Sequence, residues 1–316
     1  ERQPQRRPIG HGQWVREGRE GRPGHDHTIV QLAMTSGADF AHGEVWAMGL
    51  KWSGNSRYVI DKNQNGNVAM GAMEALLPGE VILGPGETYD APAITATYSA
   101  EGIDGISDRY YRTIRARDTH HTRPRPLTLN VWEAVFFDHS LEKLTALAEV
   151  AGEIGVERFV LDDGWFGSRR DDSSGLGDWV VSPEVWPNGL KPLIDVVHKN
   201  GMEFGLWFEA EMVQPDSDLY RAHPEWILHI PGRIPVMGRG QHVLDLTHPG
   251  AFEHVLTQVD TVLTENDIAY IKWDHNMVLL EPGHLGRPAV REQTLALYRL
   301  FDELKRRHPG LEIESC

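Results

Sequence analysis

Cysteine is almost missing from the chain, and Cys316 is the single one in 316 residues. That excludes an internal disulfide framework and a cysteine-built zinc site. Positive charge is short as well. Lys plus Arg number 31 against 46 Asp plus Glu, a net charge of −15. Phosphate-rich partners are gripped by Lys and Arg, so neither nucleic acid nor an anionic membrane is expected as a partner. No apolar run approaches the roughly 18 residues of a membrane helix. There is no Gly-x-Gly-x-x-Gly after a first strand and no Gly-Lys-Ser/Thr element, so the usual marks of nucleotide binding are missing. No apolar stretch follows Arg2–Arg7, so no secretory leader is visible. The expected location is cytoplasmic, which a single cysteine is compatible with.

What is present is tryptophan, 10 residues, and glycine, 32. Indole stacks well on the apolar face of a sugar ring, yet it fills a core equally well, so position has to decide. Histidines cluster at His25-Asp26-His27 and His120-His121. Adjacent histidines on a strand point to opposite faces and no third ligand is suitably spaced, so these read as solvated loops, with no metal and no cofactor.

The first third reads as β-structure. Short apolar runs at 28–34, 44–52, 57–60, 68–73, 80–83 and 94–98 are separated by Gly, Pro and Asn punctuation, which predicts a sandwich. Ile103, Ile106, Tyr110 and Ile114 fall at helical spacing and predict one helix over 102–117. Residues 1–118 are therefore expected to be the C-terminal part of a β-sandwich domain with a connecting helix, and 119–126, with its prolines, a linker. From Leu127 the pattern alternates. Strands are expected at 127–133, 158–162, 204–208, 242–246, 269–273 and 311–316, and helices at 141–154, 190–199, 252–263 and 290–307. Strand then helix, repeated, means a parallel sheet with crossover helices over 127–316.

The predicted strands end in acid plus aromatic: Asn130-Val131-Trp132-Glu133, Leu161-Asp162-Asp163-Gly164-Trp165, Leu206-Trp207-Phe208-Glu209 and Ile271-Lys272-Trp273-Asp274. Active sites of parallel barrels are built at these carboxyl ends. A cleft of carboxylates and indoles suits sugar cleavage, in which two carboxyls share protonation and nucleophilic attack and others bind hydroxyls. On a strand of period 2, Lys272 and Asp274 share a face while Trp273 points away, and an ammonium nearby keeps a carboxylate ionised.

These stretches, with Gly205–Val213, Gly238-Arg239-Gly240-Gln241, Tyr270–Asn276 and Glu312–Cys316, resemble glycoside hydrolase family 36, the bacterial-type α-galactosidases. The resemblance covers most of the chain. It implies an N-terminal β-sandwich followed by a (β/α)8 TIM-type barrel, here truncated after about five barrel strands. It implies a retaining α-galactosidase acting on terminal α-galactose of melibiose- and raffinose-type oligosaccharides, with Asp274 as nucleophile. It further implies that Asp162 and Asp163 bind galactose hydroxyls and that Trp132 and Trp207 wall the pocket. Arg239, Lys272 and Asn276 join the substrate-binding set, and Cys316 lines the pocket near the sugar's 2-position. The family's general acid/base is an aspartate beyond the strand that holds Cys316. The chain starts without Met and ends in a strand-like run, so it is expected to be an inactive fragment of a parent protein that could form homo-oligomers. Three other readings stay open at this stage. One is a galactosyl transferase of the raffinose- or stachyose-synthase kind, another a non-catalytic sugar-binding protein. The third is an unrelated barrel isomerase or aldolase with Lys272 as a Schiff-base amine.

Overall fold

The computed structural model describes residues 6–24 and 29–316. The His25–His27 cluster and the first residue of the expected strand at 28–34 lie outside the described residues. The chain divides into two compact units, 1–123 and 124–316.

The first unit holds two three-stranded antiparallel sheets. One has the order β1 (Gly12–Gly18), β4 (Ser56–Lys62), β5 (Val68–Glu74); the other β2 (Val30–Met34), β3 (Val45–Leu50), β6 (Ile94–Ser99). Tyr58 ties them together. Its hydroxyl on β4 donates to the Ile29 carbonyl at 2.7 Å and accepts from the Leu50 amide of β3 at 3.1 Å. Helix α1 (Gly102–Arg115) follows, buries Ile106 and ends with Arg112 and Arg115 in its last turn, where cations suit the helix dipole. Two expectations differ here. Residues 80–83 form no strand, because turns at Pro78-Gly79 and Pro85-Gly86 close the segment at both ends and leave irregular backbone between them. Strand β1 falls outside the predicted apolar runs, since four of its seven residues are Gly, Gln or Arg and its apolar side chains are two, Trp14 and Val15.

The second unit runs β7 (Thr128–Asn130), α2 (Trp132–Val135), α3 (Leu141–Glu153), β8 (Arg158–Leu161), α4 (Lys191–Lys199), β9 (Glu203–Phe208), β10 (Met212–Val213), α5 (Asp218–Ala222), β11 (His242–Val243), α6 (Pro249–Glu265), β12 (Tyr270–Trp273), β13 (Gly283–His284), β14 (Arg287–Pro288), α7 (Val290–Arg307) and β15 (Glu312–Ser315). Helix starts carry their own signals. Ser140 accepts the Lys143 amide at the start of α3, and Pro249 occupies the first turn of α6. Five strands form one parallel sheet, ordered β15-β12-β9-β8-β7. The 242–246 run stands outside it, pairing as β11 with β10. The expected strand 127–133 stops at Asn130. The Asn130 side-chain oxygen accepts the Trp132 amide at 2.9 Å, which turns the chain into one helical turn and leaves Glu133 exposed, away from any strand end.

The parallel sheet is strongly curled. Arg158 on β8 and Glu312 on β15 are separated by two strands, about 14 Å in a flat sheet. Yet the Arg158 guanidinium reaches the Glu312 carboxylate at 2.5 Å and that of Glu203 at 3.0 Å, and it lies 4.4 Å from the Tyr270 ring. These side chains meet on the concave face, at the amino ends of the strands. One layer up, register aligns Asn130, Val160, Gly205 and Tyr270. A Cβ at Gly205 would stand 2.7 Å from the Tyr270 ring and 2.9 Å from Val160 Cγ2, so the layer closes only over glycine. The arrangement is half a barrel wall, wrapped outside by α3, α4, α6 and α7 and following an N-terminal sandwich. No helix among the described residues is long and apolar enough to cross a membrane.

Candidate active site

Period 2 on the curled strands sends a single set of side chains to the concave face at the carboxyl ends: Asn130, Asp162, Trp207, Lys272, Asp274 and Cys316. Trp273, between two of them, points outward, packs edge-on against Phe301 of α7 at 5.0 Å and is 1% exposed.

Asp162 is the hub. Its Oδ2 accepts Lys272 Nζ at 3.0 Å and the Asn130 side-chain amide, and its Oδ1 accepts the Asp163 amide at 2.9 Å. Burial works against the Lys272 charge, but the Asp162 carboxylate, joined by Cys316 and Asp274, holds the ammonium above its ordinary value. A lysine kept protonated is a poor Schiff-base nucleophile, which counts against the aldolase reading. Asp163 points elsewhere: both its oxygens accept from Arg169, with Nη2 to Oδ2 at 2.8 Å and Nε to Oδ1 at 3.0 Å. Burial pushes its carboxyl up, and the Arg169 guanidinium opposes that. Arg169 itself is buried and also donates to Gln214 at 2.8 Å.

Asp274 follows directly on β12. Its Oδ2 accepts the Trp207 indole N–H at 3.1 Å, its Oδ1 accepts the His275 amide at 2.9 Å, and its own amide donates to the Phe208 carbonyl. The carboxylate is thereby fixed in direction by groups from two neighbouring strand ends. Trp207 is 2% exposed, with its ring against Phe166 and Trp179. What it presents to Asp274 is the N–H. The half-buried Trp132, edge-on to Phe136 and Phe137, is the indole with an open side. Cys316 closes the row beside Asp274, its thiol pushed up by burial and then by that carboxylate.

Arg239 is exposed at the tip of a two-residue turn closed by reciprocal backbone bonds between Gly238 and Gln241. Its φ is 53° and that of Gly240 is 74°. A left-handed arginine stores about 1 kcal/mol of strain, and such strain concentrates at ligand-holding turns. The Asn276 amide donates to Glu209 Oε1 at 2.6 Å, so its backbone belongs to the support of Asp274.

Several residues of this cluster carry no mark in the sequence reading. Arg169 sits six positions after Asp163 and is returned to it by the loop through Gly167; Asn130 is a neutral amide whose partner, Asp162, lies 32 positions away. His139 is the third. A Cβ at Gly164 would lie 3.3 Å from its ring. Burial pulls His139 down to about 4, against the pull of Asp162. The fold therefore favours the neutral ring. The stability this contributes is complete above the unfolded value near 6.5 and is lost as pH falls toward 4. The loss amounts to about 3 kcal/mol over that window at 1.36 kcal/mol per unit. Urea unfolding of wild type and His139→Phe at several pH values should show the variant's stability declining less between pH 6.5 and 4. Parallel curves would remove His139 as the cause.

Carboxylates, an ammonium and an indole N–H gathered at the carboxyl ends of curled parallel strands make this a (β/α)-barrel site. The chain belongs to the melibiase family, whose profile matches residues 88–316, and the glycosyl hydrolase family 36 N-terminal domain matches residues 1–84. It is 42% identical over 316 residues to the α-galactosidase of Escherichia coli, covering 99% of this chain and 45% of that protein. With α-galactosidase AgaA of Geobacillus stearothermophilus it shares 38% over 325 residues, covering 100% of this chain and 45% of the relative. The crystal structure of AgaA superposes with a TM-score of 0.93 at 37% identity, over 99% of this chain and 45% of that one. An AgaA variant in complex with raffinose superposes with a TM-score of 0.94, again at 37% identity and with the same coverage. The chain thus spans about half the length of these relatives.

Proposed function

We propose that the whole protein carrying this chain is a retaining α-galactosidase that releases terminal α-galactose from raffinose-type oligosaccharides, with Asp274 as nucleophile. The observation that carries this reading is the inward row Asp162, Lys272 and Asp274. It is supported by the name α-galactosidase on the relatives and by the AgaA complexes with raffinose and stachyose.

In this reading Asp274 attacks the anomeric carbon as the glycosidic C–O bond breaks, and the leaving oxygen takes a proton from a general acid. Water then displaces the carboxylate, and the configuration is kept by two inversions. The general acid is proposed to lie after Cys316 in the whole protein. The indole N–H of Trp207 and the His275 amide hold the Asp274 oxygens in line, so the attack needs little reorientation. Asp162, and Asp163 from its Arg169 clamp, keep lone pairs for sugar hydroxyls. Arg239, Asn276 and Cys316 complete the sugar-binding set, with Trp132 as a stacking wall. A cytoplasmic setting fits the single cysteine.

Proton NMR of galactose released from an aryl α-galactoside by the whole protein tests the proposal. The α-anomer is expected first, followed by slow mutarotation. A first-formed β-anomer, or no release, overturns it.

A further inference from the structure

Glu209 ends a predicted strand in acid, yet it takes no part in the attack described above. It is 2% exposed, two residues beyond Trp207. One oxygen, Oε1, accepts two N–H groups: the Gln241 side-chain amide at 2.9 Å and the Asn276 backbone amide at 2.6 Å. These donors belong to different elements. Gln241 closes the strained turn whose tip is Arg239. Asn276 follows Asp274 by two residues at the end of β12. The next alternate residue, Glu211, repeats the pattern, accepting the Trp273 indole N–H at 3.1 Å with His275 Nδ1 3.5 Å away.

We propose that Glu209 is a positioning residue, whose one oxygen sets the spacing between the Arg239 turn and the Asp274 strand end without touching the sugar. The proposal rests on the α-galactosidase reading. A buried carboxylate that has lost its partners, or partners that have lost their carboxylate, leave unsatisfied groups in surroundings water does not reach. Without Glu209 the Gln241 amide and the Asn276 N–H would each have to find another acceptor, and the two elements would keep only the packing of Gly238 against Met277 to hold their spacing. A shift of about 1 Å in a catalytic group costs about 10²-fold in rate.

The test is steady-state kinetics of the whole protein on an aryl α-galactoside. Glu209→Ala should lower kcat/KM by about 10²-fold. Glu209→Gln keeps an amide oxygen at the position of Oε1 and should recover activity to within about tenfold of wild type, because two acceptor contacts survive the loss of charge. Gln241→Ala cuts only the arm to the turn. It should raise KM, with kcat changed by less than about threefold, since ground and transition states lose Arg239 alike. Wild-type activity in Glu209→Ala overturns the proposal, as does equal damage from the Ala and Gln variants. A fall in kcat at constant KM in Gln241→Ala overturns the link to Arg239. Should Glu209→Ala fail to fold, the other two variants decide. If the wild-type protein releases no galactose, the α-galactosidase reading fails instead. Calorimetric titration of the same variants with galactose then tests the spacing, and equal affinity in wild type and Gln241→Ala overturns it.

Discussion

Asp274→Asn in the whole protein is expected to abolish turnover of an aryl α-galactoside while galactose binding stays measurable. The amide has the carboxylate's shape and keeps an oxygen to accept either the Trp207 indole N–H or the His275 amide. The site should hold its geometry, therefore, and the melting temperature should stay near that of wild type. What is lost is the negative charge that forms the bond to the anomeric carbon, for which no neighbour substitutes. Asp162 is occupied by Lys272 and Asn130, and Asp163 by Arg169. Losing a catalytic group typically costs 10²-fold or more, so more than about a hundredth of the wild-type rate remaining would remove Asp274 from the nucleophile's role.

Asp162→Ala is expected to damage both selectivity and rate. Galactose and glucose differ at the 4-hydroxyl. In this reading Asp162 accepts from the axial 4-hydroxyl with a lone pair that Lys272 and Asn130 leave over, whereas an equatorial 4-hydroxyl leaves that lone pair desolvated and unmatched. Removing Asp162 should lower the galactoside-to-glucoside ratio of kcat/KM by about 10-fold or more, since a hydrogen bond to a charged group is worth about 1.5–3 kcal/mol. It also strips Lys272 of the main carboxylate that opposes its burial, leaving an ammonium with Asp274 as the nearby carboxylate. That second effect should lower kcat for both substrates. Comparing the ratio with the melting temperature on one preparation separates recognition from support. An unchanged ratio with a lowered melting temperature would make Asp162 a turn-capping residue and nothing more.

Much of this site was legible in the chain. The alternation of Lys272, Trp273 and Asp274 follows from strand period alone, and the structure places Lys272 and Asp274 inward and Trp273 against α7. Runs such as Arg158–Leu161, buried at every position, read as parallel strands because one face packs under the outer helices and the other turns into the barrel interior. Where reading failed, a short-range polar contact overrode pattern. Asn130 turned the apolar 127–133 run into a strand and a helical turn, so the acid-plus-aromatic motif there moved off the strand end.

The sequence by itself determined the order of strands and helices, the parallel sheet, the family and the inward row of charges. Each of these depends on neighbours a few residues apart, or on motifs whose residues stand together. The tertiary structure alone decided which groups partner which. Curling brought Arg158 to Glu312 across two strands, and Lys272 to Asp162 across 110 positions of chain. It gave Asp163 to Arg169, buried Trp207 so that its N–H faces Asp274, and set the Arg239 turn against the Asp274 strand end through one oxygen of Glu209. Side-chain contacts of this kind depend on sheet curvature, which is a property of all five strands packed together and of no segment alone.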